Sequence, residues 1–176
     1  MISSYRDYWQ IQYKRVLKYR EELWQHMEKY DLPHELLIKR PKENLWAIDE
    51  IFRHVLASEV VYIHQNFDSS ASPKDFGVGA QWVGNYEIKL SELPHFTLNE
   101  IKILSNNIQE KTQHYLNDSK EKDFIKEVRA PWGEELTFTD LLEAFYVHEA
   151  YHRGQVHYLM NLLGNPQGIK RKKLIR

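Results

Sequence analysis

The sequence contains no cysteine. Disulfides, thiolate metal ligands and a cysteine nucleophile are therefore excluded, and any metal site must use His, Asp or Glu. The chain also lacks a run of roughly 18 apolar residues, so no membrane span is predicted. Its first residues lack the apolar segment of a signal peptide, and we expect a cytoplasmic protein.

Net charge is also nearly absent, at −1 over 176 residues, which argues against a general nucleic-acid binder. The distribution is uneven. Residues 170–176 hold five of the 24 basic residues, so the 25 acidic residues leave the first 169 positions at −6. Such a basic tail either contacts phosphates or is simply a solvated terminus. The length predicts one domain, residues 1–169, followed by the tail 170–176.

Four segments show the three- and four-residue spacing of apolar side chains that is typical of amphipathic helices. They cover about residues 3–29, 44–66, 97–115 and 137–163. Thr97 and Glu100 form a capping-box pattern at the start of the third segment. Gly164 and Pro166 are predicted to end the fourth. Four such helices predict an all-α four-helix bundle.

Two connections between the predicted helices are unusual. The one between the second and third helices has about 28 residues and is rich in Gly, Ser, Pro and aromatic residues. A cover over one end of a pocket and an ordinary crossover loop are both compatible with that length. The stretch from Phe124 to Leu136 contains Pro131-Trp132-Gly133 and predicts either a short hairpin or an extended crossover.

The most informative motif is His148-Glu149-Ala150-Tyr151-His152, in the fourth predicted helix. Neutral imidazoles at positions i and i+4 lie on the same helix face and can share a divalent metal. Helical periodicity puts His148, His152 and Gln155 on the apolar stripe that faces the core. Glu149 lies about 100° from His148, at the edge of that stripe.

The same motif matches the H-E-x-x-H pattern of zinc proteases, in which the glutamate is the general base. Those proteases usually take their third ligand from downstream, but Glu149 is the last acidic residue of this chain. The positions three and six residues after His152 hold Gln155 and Tyr158, where a metzincin has Gly and His. We therefore interpret the match at Glu149 as accidental.

A third ligand must then come from upstream, and His54 is the best candidate. On the second predicted helix His54 shares an apolar stripe with Glu50 and with two small residues, Ala57 and Ser58, which leave room for a metal and its water. Three imidazoles from two facing helices leave coordination positions open, as in catalytic zinc sites. Spacing alone also permits a second interpretation, in which these are hydrogen-bonded core histidines.

Two polar residues near these histidines have predicted supporting roles. Glu50 is interpreted as a hydrogen-bond partner of a ligand, a direct ligand, a general base or a structural partner of buried polar groups. Gln155, one turn beyond His152, is predicted to hydrogen-bond a ligand. The other histidines lack paired spacing and are predicted to be surface or structural residues: His26, His34, His64, His95, His114 and His157.

Two motifs resemble those of DinB-like proteins. The segment from Trp46 to His54 reads W-A-I-D-E-I-F-R-H and is similar to the family's W-S-x-x-E-I-x-x-H, with Ala47 where Ser is frequent. The segment from His148 to Val156 is similar to the family's H-x-x-x-H-R-G-Q-[IV], and Leu163-Gly164-x-Pro166 resembles its usual ending. The order and spacing agree over nearly the whole chain.

The resemblance implies a DinB/YfiT-like four-helix bundle with up-down-down-up topology, often a homodimer. It implies a divalent-metal site, zinc or nickel, on His54, His148 and His152. It also implies a small-molecule substrate, with either transfer of a low-molecular-weight bacterial thiol or hydrolysis by metal-activated water. A bundle that binds metal without catalysis is the third hypothesis. The family name refers to DNA-damage induction and implies no nucleic-acid binding.

Overall fold

The computed structural model of the protein describes residues 4–29, 31–43, 45–76 and 95–163. In these ranges the chain forms six helices, α1 (Tyr5–Lys29), α2 (His34–Leu37), α3 (Ile48–Tyr62), α4 (Leu98–Asp118), α5 (Glu121–Phe124) and α6 (Phe138–Leu163). Two short strands, β1 (Glu127–Arg129) and β2 (Glu135–Thr137), and two 3₁₀ turns, His64–Asn66 and Pro73–Phe76, complete the regular structure there. The four predicted helices correspond to α1, α3, α4 and α6.

The starts of α4 and α6 are set by local hydrogen bonds. At α4, the Glu100 N–H donates to Thr97 Oγ1 over 3.2 Å, and the Thr97 N–H donates to Glu100 Oε2 over 2.7 Å. Thr137 and Asp140 make the same reciprocal pair at the start of α6, over 3.1 and 3.2 Å. Such boxes satisfy backbone donors that the first helical turn leaves unpaired. The capping box predicted at Thr97 is therefore confirmed.

The second predicted helix is shorter in the structure, where it begins at Ile48 rather than near the predicted boundary of about 44. The Ala47 N–H donates to Glu50 Oε2 over 2.7 Å, which caps α3 at its first turn and leaves Trp46 in the preceding loop. At the other end the Asn66 side-chain amide donates to the Tyr62 carbonyl over 2.8 Å, and the chain continues as a 3₁₀ turn.

Contacts between the long helices establish their relative directions. The contacts between α1 and α4 are Gln10–Asn117 and Glu28–Lys102, and those between α3 and α6 are Tyr62–Phe145 and His54–His152. The contacts between α1 and α6 are Arg20–Glu149 and His26–His157. For α3 and α4 they are Glu59–Thr112 and the contact of Asp49 with His95, which lies just before the start of α4. The first two helix pairs are antiparallel and the last two are parallel. This is the up-down-down-up arrangement that the resemblance implies.

The bundle core has a polar layer between two apolar clusters. One cluster surrounds Met27, Ile51 and Val156, and the other surrounds Val16 and Phe145. The residues of the layer between them are almost fully buried polar side chains, namely Arg20, His54, Glu59, Thr112, Glu149 and His152. Buried polar groups need partners, so the pairing in this layer determines how the four helices align.

The stretch between α5 and α6 is a hairpin rather than an extended crossover. β1 pairs antiparallel with β2, with Val128 opposite Leu136. Its turn contains Gly133 at φ 95°, a left-handed conformation that glycine adopts without strain. Of the two predicted conformations for this stretch, the structure has the hairpin.

Some predicted features lie outside the described residues. These are residues 77–94 of the long connection, the helix end at Gly164 and Pro166, and the basic tail 170–176. Among the helices of the described ranges, none has the length and apolarity that crossing a membrane would require.

Candidate metal centre

Three histidines from two helices meet in the polar layer. His148 Nε2 lies 2.9 Å from His54 Nε2 and 3.1 Å from His152 Nε2. One ring nitrogen from each of the three lies within 4.8 Å of the others. His54 and His152 are buried, and His148 is partly exposed. The structure therefore brings together the three histidines that the sequence analysis selected.

The local backbone explains this convergence. His148 and His152 are one turn apart on α6 and so share a face, and the antiparallel α3 presents His54 to that face. Ala57 and Ser58, one turn after His54, are small and fully buried. The Ser58 hydroxyl donates to the His54 carbonyl over 2.8 Å, so it is occupied within its own helix.

The donor set fits one divalent ion. Tetrahedral zinc with Zn–N bonds of about 2.0 Å places its nitrogen ligands about 3.3 Å apart. The observed separations of 2.9 and 3.1 Å are within a few tenths of an ångström of that spacing. Three imidazoles suit zinc, nickel and other borderline metals, and they leave coordination positions free for a substrate atom or water.

The environment keeps all three imidazoles neutral at pH 7. Burial, with His152 and His148 as neighbours, lowers the pKa of His54 to about 2. Burial and His152 lower the pKa of His148 to about 4. Burial also lowers the pKa of His152, although Gln155 and Glu149 act in the opposite direction. The neutral imidazole is the form that binds metal, so little proton competition is expected near neutral pH.

Gln155 lies beside the cluster, where the sequence analysis placed it. Its Oε1 is 2.7 Å from His152 Nδ1. An amide oxygen only accepts hydrogen bonds, so Nδ1 carries the proton and the lone pair of His152 Nε2 faces the other two histidines. This is the tautomer that metal binding through Nε2 requires.

Glu50 has hydrogen-bond and ion-pair partners near the start of α3. Its carboxylate accepts from the Ala47 N–H over 2.7 Å and pairs with Arg40, whose Nε lies 3.0 Å from Glu50 Oε2. Among the described residues these are its polar partners, so it is occupied away from the three histidines. The two bonds hold the segment that carries Leu45 and Trp46 against the start of α3.

Glu149 is also paired away from the histidines. Arg20 donates to both of its carboxylate oxygens, from Nε and Nη2, over 2.8 Å each. This two-point contact occupies both carboxylate oxygens of Glu149. The pairing agrees with the interpretation that the H-E-x-x-H match is accidental at its glutamate.

Arg20 links Glu149 to a second buried carboxylate, Glu59, over 2.8 Å. Tyr13 and Thr112 donate to Glu59 Oε1 over 2.5 and 2.6 Å. Burial alone would raise the pKa of Glu59, but Arg20, Thr112 and Tyr13 hold it below its ordinary value. One cation thus serves two carboxylates, and the network ties α1, α3, α4 and α6 together.

The remaining histidines with described partners are structural or lie on the surface, as predicted. His64 is fully buried, and its Nε2 lies 2.8 Å from Thr112 Oγ1. Because the Thr112 hydroxyl donates to Glu59, Nε2 of His64 must be the donor in this contact. The His26 and His157 rings lie 5.7 Å apart, and His95 Nδ1 is 2.9 Å from Asp49.

His64 should make the metal-free protein less stable in mild acid. Burial lowers its pKa from 6.5 to about 4, despite Glu59 and Asp68; Lys111 adds to the lowering. Between these values the unfolded chain binds a proton that the folded protein excludes. Stability is therefore lost as the pH falls through this window, by about 1.4 kcal/mol per pH unit.

Urea unfolding of the metal-free protein at pH 7 and pH 5 measures this effect. His64→Gln should lose about 2 kcal/mol less than the wild type between the two values, because glutamine takes up no proton. Equal losses in the two proteins would contradict the pKa assigned to His64.

The ion-pair network and the position of Trp46 are not among the sequence predictions. Arg20 falls in phase with the apolar residues Tyr13, Val16 and Leu23, and a charge on such a stripe is a recognisable signal of a buried ion pair. Trp46 falls within the second predicted helix, but in the structure it precedes α3. Its ring packs on the site, with its centroid 4.6 Å from that of His54 and 6.1 Å from that of His152. No local pattern predicts that placement.

Comparison with known proteins adds one finding. The model of the DinB family matches residues 10–170, which include all three histidines and most of the chain. No curated protein matches this chain.

Proposed function

Because this chain belongs to the DinB family, we propose that it is a metal-dependent enzyme whose single divalent ion is held by His54, His148 and His152. The ion is zinc or nickel, and the reaction is transfer of a low-molecular-weight bacterial thiol to a small electrophile. The observation that carries the proposal is the convergence of three neutral imidazole nitrogens, 2.9 and 3.1 Å apart, from two helices.

A divalent ion held by three imidazoles acts as a Lewis acid and lowers the pKa of a thiol or water that it binds. The chain has no cysteine, so the attacking sulfur must belong to the co-substrate. In the overall reaction the S–H and carbon–leaving-group bonds break and a C–S bond forms. The leaving group takes the electron pair and ends with the thiol proton. Gln155 keeps His152 oriented through Nδ1 during these changes.

Hydrolysis at the same three histidines is the second candidate. Activated water attack commonly uses a carboxylate as general base. In the described ranges both glutamates closest in sequence to the histidine motifs are engaged, Glu50 with Arg40 and Glu149 with Arg20. That engagement favours thiol transfer, because a thiolate is an effective nucleophile without such a base.

Metal binding is tested first, by elemental analysis of the purified protein and by thermal unfolding with added zinc or nickel. At a concentration of metal about 100 times Kd, we expect Tm to rise by about 5–10 °C. If no metal copurifies and neither ion raises Tm, the metal site and the function built on it are abandoned.

Turnover then separates the three functions. The metal-loaded protein is incubated with an electrophile such as 1-chloro-2,4-dinitrobenzene, with and without a bacterial thiol. Thiol-dependent product above the uncatalysed rate supports transfer, and turnover without thiol supports hydrolysis. If the wild type shows no turnover with or without thiol, and His152→Ala changes only its stability, the protein is a non-catalytic metal-binding bundle.

A further inference from the structure

The three-histidine site adjoins a cavity of about 440 Å³. His152 belongs both to the site and to the cavity wall, so a molecule in the cavity touches a metal-binding imidazole. Trp46 also lines the cavity, and its ring stacks at an angle of 16° to the His152 ring. The volume falls within the range of small-molecule sites, about 300–1,000 Å³.

The walls of this cavity are aromatic and aliphatic. Tyr151 and Tyr158 line it from α6 and are 62 and 65 % exposed, and Leu45 lines it from the segment that Glu50 holds in place. Ile51 and Leu159 supply buried aliphatic surface. Solvent-exposed tyrosine and leucine side chains around a cavity offer contact area for an apolar ligand.

Charge is lacking on these walls. Among the described residues that line the cavity there is no Lys, Arg, Asp or Glu. Apart from the tyrosine hydroxyls, its polar side chains are His152 and Gln155, and these are bonded to each other. Away from the proposed ion at His152, a charged group on these walls would lose water without gaining an ionic partner, whereas a neutral ring would lose little.

We infer that the cavity binds the electrophilic substrate, and that this substrate is a small, uncharged molecule with a flat aromatic or similarly apolar body. Its body lies between Trp46 and the tyrosines of α6, and its reactive or metal-binding end points at His152. The inference rests on the proposed function and adds the substrate class to it. It also assigns Tyr158 and Leu45 to substrate selection, a role that no motif in the sequence indicates.

Two probes that share one metal-binding group test the substrate class. Imidazole and 4-phenylimidazole both bind metal through a ring nitrogen, and only the second carries an apolar ring. Each is titrated into the cobalt(II)-loaded protein, and binding is followed by the visible spectrum of the ion. We expect 4-phenylimidazole to bind about tenfold more tightly or better, because its phenyl ring leaves water for the cavity.

Tyr158→Ala should reduce that preference to about threefold or less while leaving imidazole affinity unchanged. The matched control is Tyr5→Ala, an exposed tyrosine at the start of α1 that stacks on Phe124 in the other apolar cluster. The control should keep the full preference for the phenyl probe.

The possible failures are distinguishable. If cobalt, zinc and nickel all fail to bind, the proposed function fails before any probe is added, and the inference fails with it. If cobalt and imidazole bind but the phenyl ring brings no gain, the metal site stands and the substrate class is overturned. A gain that survives Tyr158→Ala unchanged overturns the assignment of the ligand to this cavity.

Discussion

Replacing His148 with alanine is expected to abolish high-affinity binding of zinc or nickel. His148 is the central member of the cluster, since its Nε2 lies 2.9 Å from His54 and 3.1 Å from His152. Removing a hydrogen-bond partner of a metal ligand already costs 10–100-fold in affinity, so loss of a ligand should exceed about 100-fold. Isothermal titration of the metal-free protein measures the change directly.

His148 is the best of the three histidines for this experiment because it is partly exposed, whereas His54 and His152 are buried. Truncation should therefore leave the fold intact, which circular dichroism checks. The matched control is His157→Ala, a histidine on the exposed side of the same helix, which should bind metal like the wild type. Wild-type affinity and stoichiometry in His148→Ala would show that these histidines hold no metal.

Replacing Arg20 with methionine is expected to destabilise the protein by about 3–5 kcal/mol at pH 7. The side chain is 5 % exposed and is paired with Glu59 and Glu149, so its removal leaves two buried carboxylates that repel each other. Methionine fills similar space, and the expected loss therefore reports uncompensated charge rather than a cavity. Urea unfolding gives the free energy.

Two further variants separate charge from packing. Arg15→Met lies on the exposed side of the same helix and should change stability by less than about 0.5 kcal/mol. Adding Glu59→Gln and Glu149→Gln to Arg20→Met should recover much of the loss, since no buried charge then lacks a partner. A loss below about 1 kcal/mol in Arg20→Met would show that the network contributes little to alignment of the helices.

Much of the fold could be predicted because it depends on neighbours within one or two helical turns. The Thr97–Glu100 box and the apolar stripes are local, and they located α1, α4 and α6 to within a few residues. α3 begins at Ile48, four residues beyond the predicted boundary, because Glu50 caps the Ala47 N–H. The periodicity of the apolar residues does not show whether the Glu50 side chain caps the helix or points into the core.

Four amphipathic helices, the common face of His148 and His152, and a donor set limited to nitrogen and oxygen can all be derived from the sequence. Each follows from spacing along one helix or from composition. The pairing of Glu149 with Arg20, 129 residues away, depends instead on how the helices pack. So does the cavity beside His152 that Trp46 and the tyrosines of α6 line. Buried polar pairs and cavity walls are formed by residues from different helices. The spacing of residues within one helix does not specify how that helix lies against its neighbours, so these contacts cannot be predicted from it.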